Sequence, residues 1–356
     1  MAELRGFTVT DPAAWNAFVE GARYAAFPQL WEWGELRQPS GWLPVRIAVG
    51  ERPDELVAGA QVLLRPIPGI GWRLGYAPRG PIGALDDPLI RDALLAALRA
   101  LARRERIATL KVDPEATADD ALGKALLEAP WRAAEKVQPP ATRILDLSRT
   151  EEELRGDLKR KHRQYVNKAE RAGLTVEWLD ASSDEATTRR ALADFYAIYE
   201  ATATRAGFVA RAPAYYERVW RTFAPGGRAR LLFAVQDGER VATLFHFVCG
   251  AKVAEAYGGM TDAGAESRAN YLLKWEAIRG FRGEGRRTYD LWGIATGGIA
   301  QFKEGFGGEV RRYVGARDLP VRAPVDALLR VALPAYGIAQ RARLRLMGRR
   351  LVPSDD

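Results

Sequence analysis

One order of elements is written twice along this 356-residue chain, and a repeated order leaves few folds open. In the first copy, strands over 45–49 and 57–64 flank a polar stretch at 50–55. A strand over 72–76 follows, then a helix, then a strand over 109–112. Asp87-Pro88 opens that helix as N-cap and first-turn proline, and Ile90, Leu94, Leu98 and Leu101 recur at helical spacing. In the second copy, strands over 230–235 and 241–248 enclose Gln236-Asp237-Gly238-Glu239, whose Asp-Gly pair suits a tight hairpin turn. A strand over 252–257 comes next, Tyr271, Trp275 and Ile278 mark a helix, and a strand over 288–292 closes the copy.

Hairpin, strand, helix, strand, repeated, is what a tandem acetyltransferase-like (GNAT-like) chain shows. The fold class expected is therefore α/β (α+β): two tandem GNAT-like domains, each a mixed sheet flanked by helices. The first domain is expected over 1–147, joined by a C-terminal segment at 318–356, and the second over 148–317. Asp11-Pro12 starts an early helix, a shorter helix falls near 119–128, and a strand over 143–147 ends the first domain. Thr150-x-x-Glu153 is a capping box that opens a basic helix over 151–172. A strand over 175–179 and a long helix over 189–206 lead into the second hairpin. Acetyltransferases hold the CoA pyrophosphate on a Gln/Arg-x-x-Gly-x-Gly/Ala loop at a helix N-terminus. Neither copy has it: the segment 79–84 has the wrong spacing and carries Pro81, and 258–268 lacks the leading Gln or Arg.

An apolar fraction of 47% with ten Trp indicates packed globular material. The single cysteine, Cys249, excludes an intramolecular disulfide and a cysteine-rich metal site. A formal charge of +8 favours polyanionic partners through long-range attraction. The opening residues have no signal-peptide core, and no apolar run reaches membrane-spanning length, so a cytoplasmic protein is expected.

Most of the chemistry is concentrated in Tyr289–Gly308, which reads YDLWGIATGGIAQFKEGFGG. Glycines let backbone approach a ligand closely, and Lys303 between aromatic rings offers a fixed positive charge. The same residues also make a plain strand and turn with a solvated lysine, and pattern alone leaves both readings open.

Several separated motifs together resemble one family, the Fem-type (FemABX) peptidoglycan-bridge aminoacyltransferases. They are Gln29-Leu30-Trp31-Glu32-Trp33-Gly34, Ala77-Pro78-Arg79-Gly80-Pro81, Asp113-Pro114, 143–148 followed by 159–173, Ala256-Tyr257-Gly258-Gly259, and the 289–308 segment. The resemblance runs in order from about residue 24 to 320 and is to the compact form, without an inserted helical arm. It implies transfer of an amino acid from aminoacyl-tRNA to an amine on the stem peptide of a peptidoglycan precursor. The precursor is UDP-linked or lipid-linked, and no cofactor is implied beyond aminoacyl-tRNA as co-substrate. A monomer is expected, at the inner face of the membrane where the precursor is lipid-linked.

The same resemblance implies roles residue by residue. Lys303 stabilises the oxyanion of acyl transfer, and Phe302 stacks on the adenine of the tRNA acceptor end. Arg37, standing where the compact form has lysine, and Arg211 contact precursor phosphates. Tyr215 shares the Arg211 face, and Tyr76 and Tyr257 line the substrate site. No general base is assigned; Asp86 and Asp87 follow the Gly-Pro segment, and Asp87 is a helix cap. The basic run Lys159–Arg171 suits tRNA or a solvated face, while His162 and His246 do not suggest a metal pair. The segment 326–350 ends in Arg341, Arg343, Arg345, Arg349 and Arg350, which suit packing on the first domain or peripheral contact with anionic lipid. Two alternatives remain: an acyl-CoA-dependent N-acyltransferase of the same fold, and a non-catalytic basic RNA-binding protein.

Overall fold

The computed structural model describes residues 4–294, 297–322 and 324–327. The chain divides into two compact units, Met1–Pro140 with Arg312–Asp356, and Ala141–Arg311.

In the first unit, strands Leu43–Gly50 and Leu56–Pro66 form the long hairpin, and Arg73–Ala77 pairs antiparallel with the second of them. Helix Pro88–Arg104 then carries the chain to Ile107–Val112, which lies parallel to Arg73–Ala77. Asp87 caps that helix by accepting from Leu89 N. Its Leu94, Leu98 and Leu101 stripe is buried against Ile47, Val62, Leu64 and Leu110 of the sheet. Strand Arg317–Pro320 returns to pair antiparallel with Ile107–Val112, so the segment after residue 311 completes this sheet.

The second unit repeats the plan. Strands Ala229–Gln236 and Glu239–Cys249 form a hairpin, and Lys252–Met260 pairs antiparallel with the latter. Helix Ala269–Gly283 leads to Thr288–Asp290, which is parallel to Lys252–Met260. Both sheets are thus mixed, each with a parallel pair joined through a helical crossover, which is the architecture the repeated pattern predicts. One face of the second sheet packs on helices Arg160–Arg171 and Ala269–Gly283, through Val166, Ala169, Leu272 and Trp275. The other packs on helices Glu185–Ala206 and Pro213–Phe223, where Phe195 meets Phe245 and Phe223 meets Phe247.

Three local expectations change. Ala141–Asp146, read as the end of the first domain, pairs with Thr288–Asp290 in the second sheet, because pairing partners are set by long-range packing. The basic helix is broken in two, Glu151–Asp157 and Arg160–Arg171, where Leu158 turns into the core and Lys159 N donates to Gly305 O. The strand expected to reach residue 292 stops at Asp290, since Trp292 has φ +47°.

Candidate functional site

Lys303 stands on a helix, Gly297–Glu304, rather than in a loop. That helix follows a tightly fastened turn. Asp290 is buried at the strand end, where its Oδ1 accepts from Thr142 Oγ1 at 2.5 Å and Trp292 N at 2.7 Å. Gly293 N donates to Thr142 Oγ1 at 2.9 Å, and Lys252 Nζ lies 3.1 Å from Asp290 Oδ2. The Lys303 ammonium donates into the open side of this turn, to the carbonyls of Leu291 at 2.7 Å, Gly293 at 3.1 Å and Trp292 at 3.3 Å. Burial, and then the nearby Lys274 charge, lower its pKa to about 8, against the pull of Glu255 and Asp290. The cation is therefore fixed in place, with three carbonyl partners on its donors.

Beneath it runs a buried polar chain. Lys274 Nζ donates to Glu255 Oε1 at 2.6 Å, and Tyr289 Oη donates to Glu255 Oε2 at 2.6 Å. His246 Nε2 is 2.8 Å from the same hydroxyl. The Tyr289 proton goes to the carboxylate, so the hydroxyl accepts from His246 and the imidazole carries its proton on Nε2. Burial pushes His246 down to about 3, so it is neutral. Burial is the largest influence on Glu255 and raises it, but the Lys274 charge and the hydrogen bonds from Lys274 and Tyr289 together bring the carboxyl below its ordinary value. None of these groups was singled out as a site from sequence. The available signal was Lys274 itself, at i+3 from Tyr271 and four before Ile278, an ionisable residue on the apolar stripe.

Phe302 lies 4.8 Å from the Lys274 ammonium and packs edge-on against Tyr271 at 5.0 Å and Phe306 at 5.2 Å. Its carbonyl accepts from His162 Nε2 at 3.0 Å. His162 is thus a packed residue of the basic helix. No group of residues able to hold a metal occurs among the described residues.

Arg211, Tyr215 and Tyr257 are brought together elsewhere in the second unit. Arg211 precedes the helix that Pro213 opens, and its guanidinium stacks 4.8 Å over the Tyr215 ring. Stacking, not helical register, joins the pair. Tyr257 packs on Tyr216 at 5.3 Å and Tyr199 at 5.7 Å, and burial, with Tyr215 beside it, holds its phenol well above the ordinary range.

In the first unit, Arg37 is buried at the end of helix Trp31–Arg37, 6.0 Å from the Trp33 ring. Trp33 packs against a small cluster of Trp42, Leu63 and Tyr76, so Arg37 and Tyr76 share one aromatic patch. Tyr76 Oη donates to Asp113 Oδ2 at 2.8 Å, and Arg79 N donates to Asp113 Oδ1 at 2.6 Å. Burial raises Asp113 to about 6 despite the Arg79 charge. Gln29 ties two of the quoted motifs together: its Nε2 donates to Pro78 O at 2.6 Å, and a Cβ on Gly80 would fall 2.7 Å from that nitrogen. Asp87 is the helix cap and Asp86 pairs with Arg23, so both acids after the Gly-Pro segment are engaged. The arginines from Arg341 to Arg350 lie outside the described residues. No helix among the described residues is long and apolar enough to cross a membrane.

Fold and sequence matches define a class by similarity: a tandem GNAT-like fold whose segments match two family models. Residues 10–128 match the FemAB family, and residues 156–304 match the acetyltransferase (GNAT) domain. The lipid II:glycine glycyltransferase of Staphylococcus saprophyticus subsp. saprophyticus is 31% identical over 240 residues, covering 64% of this chain and 55% of that protein. That of Staphylococcus aureus strain MRSA252 is 29% identical over 234 residues, 62% of this chain and 53% of that protein. The chain thus spans about half the length of these relatives. Among solved structures, FemX superposes with a TM-score of 0.82 at 21% identity, over 91% of this chain and 99% of that one. A tandem GNAT protein from the clavulanic acid biosynthesis pathway superposes with a TM-score of 0.52 at 14% identity, over 90% of this chain and 99% of that one.

Proposed function

We propose that this protein is an aminoacyltransferase of cell-wall synthesis, joining an amino acid carried as an ester on tRNA to the stem-peptide amine of a peptidoglycan precursor. The observation that carries this reading is the 31% identity, over 240 residues, to a protein named for glycyl transfer to lipid II. The ester is already activated, so positioning and charge stabilisation suffice. The amine nitrogen attacks the ester carbonyl and a C–N bond forms. The tetrahedral oxyanion then collapses, the C–O bond to the ribose breaks, and the ribose oxygen leaves with the proton the amine gives up.

Lys303 has two parts in this scheme. It holds the turn at Leu291–Gly293 through three carbonyls, and its fixed charge stabilises the oxyanion, an effect typically worth about 10²–10³ in rate. Phe302, half-buried beside it, offers the adenine of the acceptor end a ring to stack on, worth about 1–3 kcal/mol. Arg211, stacked on Tyr215 beside Tyr257, takes precursor phosphate. Arg37 and Tyr76 are assigned to the precursor by the same resemblance. The relatives are named for lipid II, which supports a lipid-linked acceptor and a reaction at the membrane face.

The test is direct. Purified protein is incubated with lipid-linked or UDP-linked precursor and total charged tRNA, and the products are weighed by mass spectrometry with and without RNase. An RNase-sensitive gain of one amino-acid residue is expected with the lipid-linked form. Gain with acyl-CoA in place of tRNA, or no gain with any donor, rejects the reading.

A further inference from the structure

Strand alternation sorts the edge of the second sheet into two faces. Leu145 and Tyr289 enter the helix-covered core, so their neighbours Ile144, Asp146 and Thr288 face the opposite side. There they line an open cavity of about 410 Å³ together with Arg149, Arg287, Gly308 and Arg311. The Gly307-Gly308 turn shapes it. Both glycines have positive φ, 80° and 74°, and a Cβ on Gly308 would fall 2.4 Å from Ile144 O. Arg143 Nη1 clamps the turn by donating to Gly307 O at 3.1 Å and Gly308 O at 2.7 Å.

The charges in the cavity are unequal. Asp146 Oδ1 accepts from Ser148 N at 2.9 Å and Ser148 Oγ at 2.7 Å, so this acid is already engaged. Arg149 pairs with Asp157. Arg287 and Arg311 are exposed, and no ion pair to either occurs among the described residues; Glu309 is the remaining acid on the rim. The chain after Asp157 carries further cations. Gly307 lies against Asp157, the partner of Arg149, with a Cβ there 2.8 Å from the Asp157 Cβ. Two residues on, Lys159 pairs with Glu304, the neighbour of Lys303. Helix Arg160–Arg171 then exposes Arg160, Lys161, Lys168 and Arg171.

We propose that this cavity is a binding site for backbone phosphates of RNA, with Arg287 and Arg311 as its phosphate ligands and the basic helix continuing the track. It rests on the RNA co-substrate of the proposed function and names where on the second unit the body of that RNA is held. A guanidinium grips phosphate as a fork, and cations extending along the surface fit a polyanion better than a single free ion.

The experiment uses the full chain and the double variant Arg287→Glu/Arg311→Glu, both exposed positions outside the proposed transfer residues. Affinity for total tRNA is measured by fluorescence anisotropy at several salt concentrations, with inorganic phosphate and UDP-linked muropeptide as separate arms. The variant should bind tRNA at least about tenfold more weakly, and the slope of log K against log salt should shrink by about 1–2. Binding of the UDP-linked muropeptide should be unchanged. Unchanged tRNA affinity and slope overturn the proposal, as does a loss confined to phosphate or the UDP-linked precursor. Absence of amino-acid transfer by the unmodified protein strikes the proposed function instead and leaves the RNA-binding result readable.

Discussion

Lys303 Nζ donates to the carbonyl of Leu291 at 2.7 Å, which makes the lysine at the heart of the 289–308 segment a clamp on its own turn. A residue in this position fixes backbone and delivers charge together. The two contributions separate by measurement.

Lys303→Ala should lower turnover by about 10²–10³ while leaving affinity for the precursor nearly unchanged. Comparable losses in both would reduce Lys303 to a binding or scaffold residue. In the unmodified protein the ammonium, with a pKa of about 8, loses its proton as pH rises through that value. Turnover should therefore fall above pH 8. A profile flat to pH 10 would contradict a role for the charge.

Lys274 and Glu255 are both buried and 2.6 Å apart. Removing one partner leaves the other charge uncompensated, at a cost of about 3–5 kcal/mol. Lys274→Met should show that loss in urea unfolding. The double variant Lys274→Met/Glu255→Gln should recover part of it, and a double variant worse than the single would show that the pair is not the coupled unit.

Asp113 has a folded-state pKa of about 6, above the ordinary value of about 3.9. Between the two values the native state binds more protons than the unfolded one, so stability falls as pH rises through that window. The full effect is roughly 3 kcal/mol. Asp113→Asn should remove this slope while still offering Tyr76 or Arg79 an acceptor, as checked by urea midpoints at pH 4, 5, 6 and 7.

A Cβ on Gly305 would fall 1.8 Å from the His162 ring, whereas one on Gly298 meets nothing within 4 Å. Gly305→Ala should cost about 1–3 kcal/mol through overpacking. Gly298→Ala, in the helix that ends just before Gly305, should be neutral or stabilising by up to about 1 kcal/mol. Equal melting temperatures for the two variants would show that the ring is not held where this packing requires.

Local chemistry was legible in the sequence wherever the cause is local. Asp11, Asp87 and Thr150 with Glu153 cap helices as their types and spacing dictate, because a cap joins residues two or three apart. The doubled order of hairpin, strand, helix and strand follows from hydrophobic period and turn residues alone. Both parallel pairs, 73–77 with 107–112 and 252–260 with 288–290, close where that order puts them.

Contacts between distant residues were decided only in the folded chain. Ala141–Asp146 joins the second sheet because Thr288–Asp290 offers it an antiparallel edge far along the sequence. Lys274 and Glu255, 19 residues apart, read separately as a helix lysine and a strand glutamate, and only packing makes them one buried ion pair. Lys303 could be picked out by its aromatic and glycine neighbours. That its ammonium turns toward Leu291, Trp292 and Gly293 depends on a turn fastened by Thr142, 151 residues before Gly293. Periodicity records which face a residue presents; it carries no information about which distant partner meets that face.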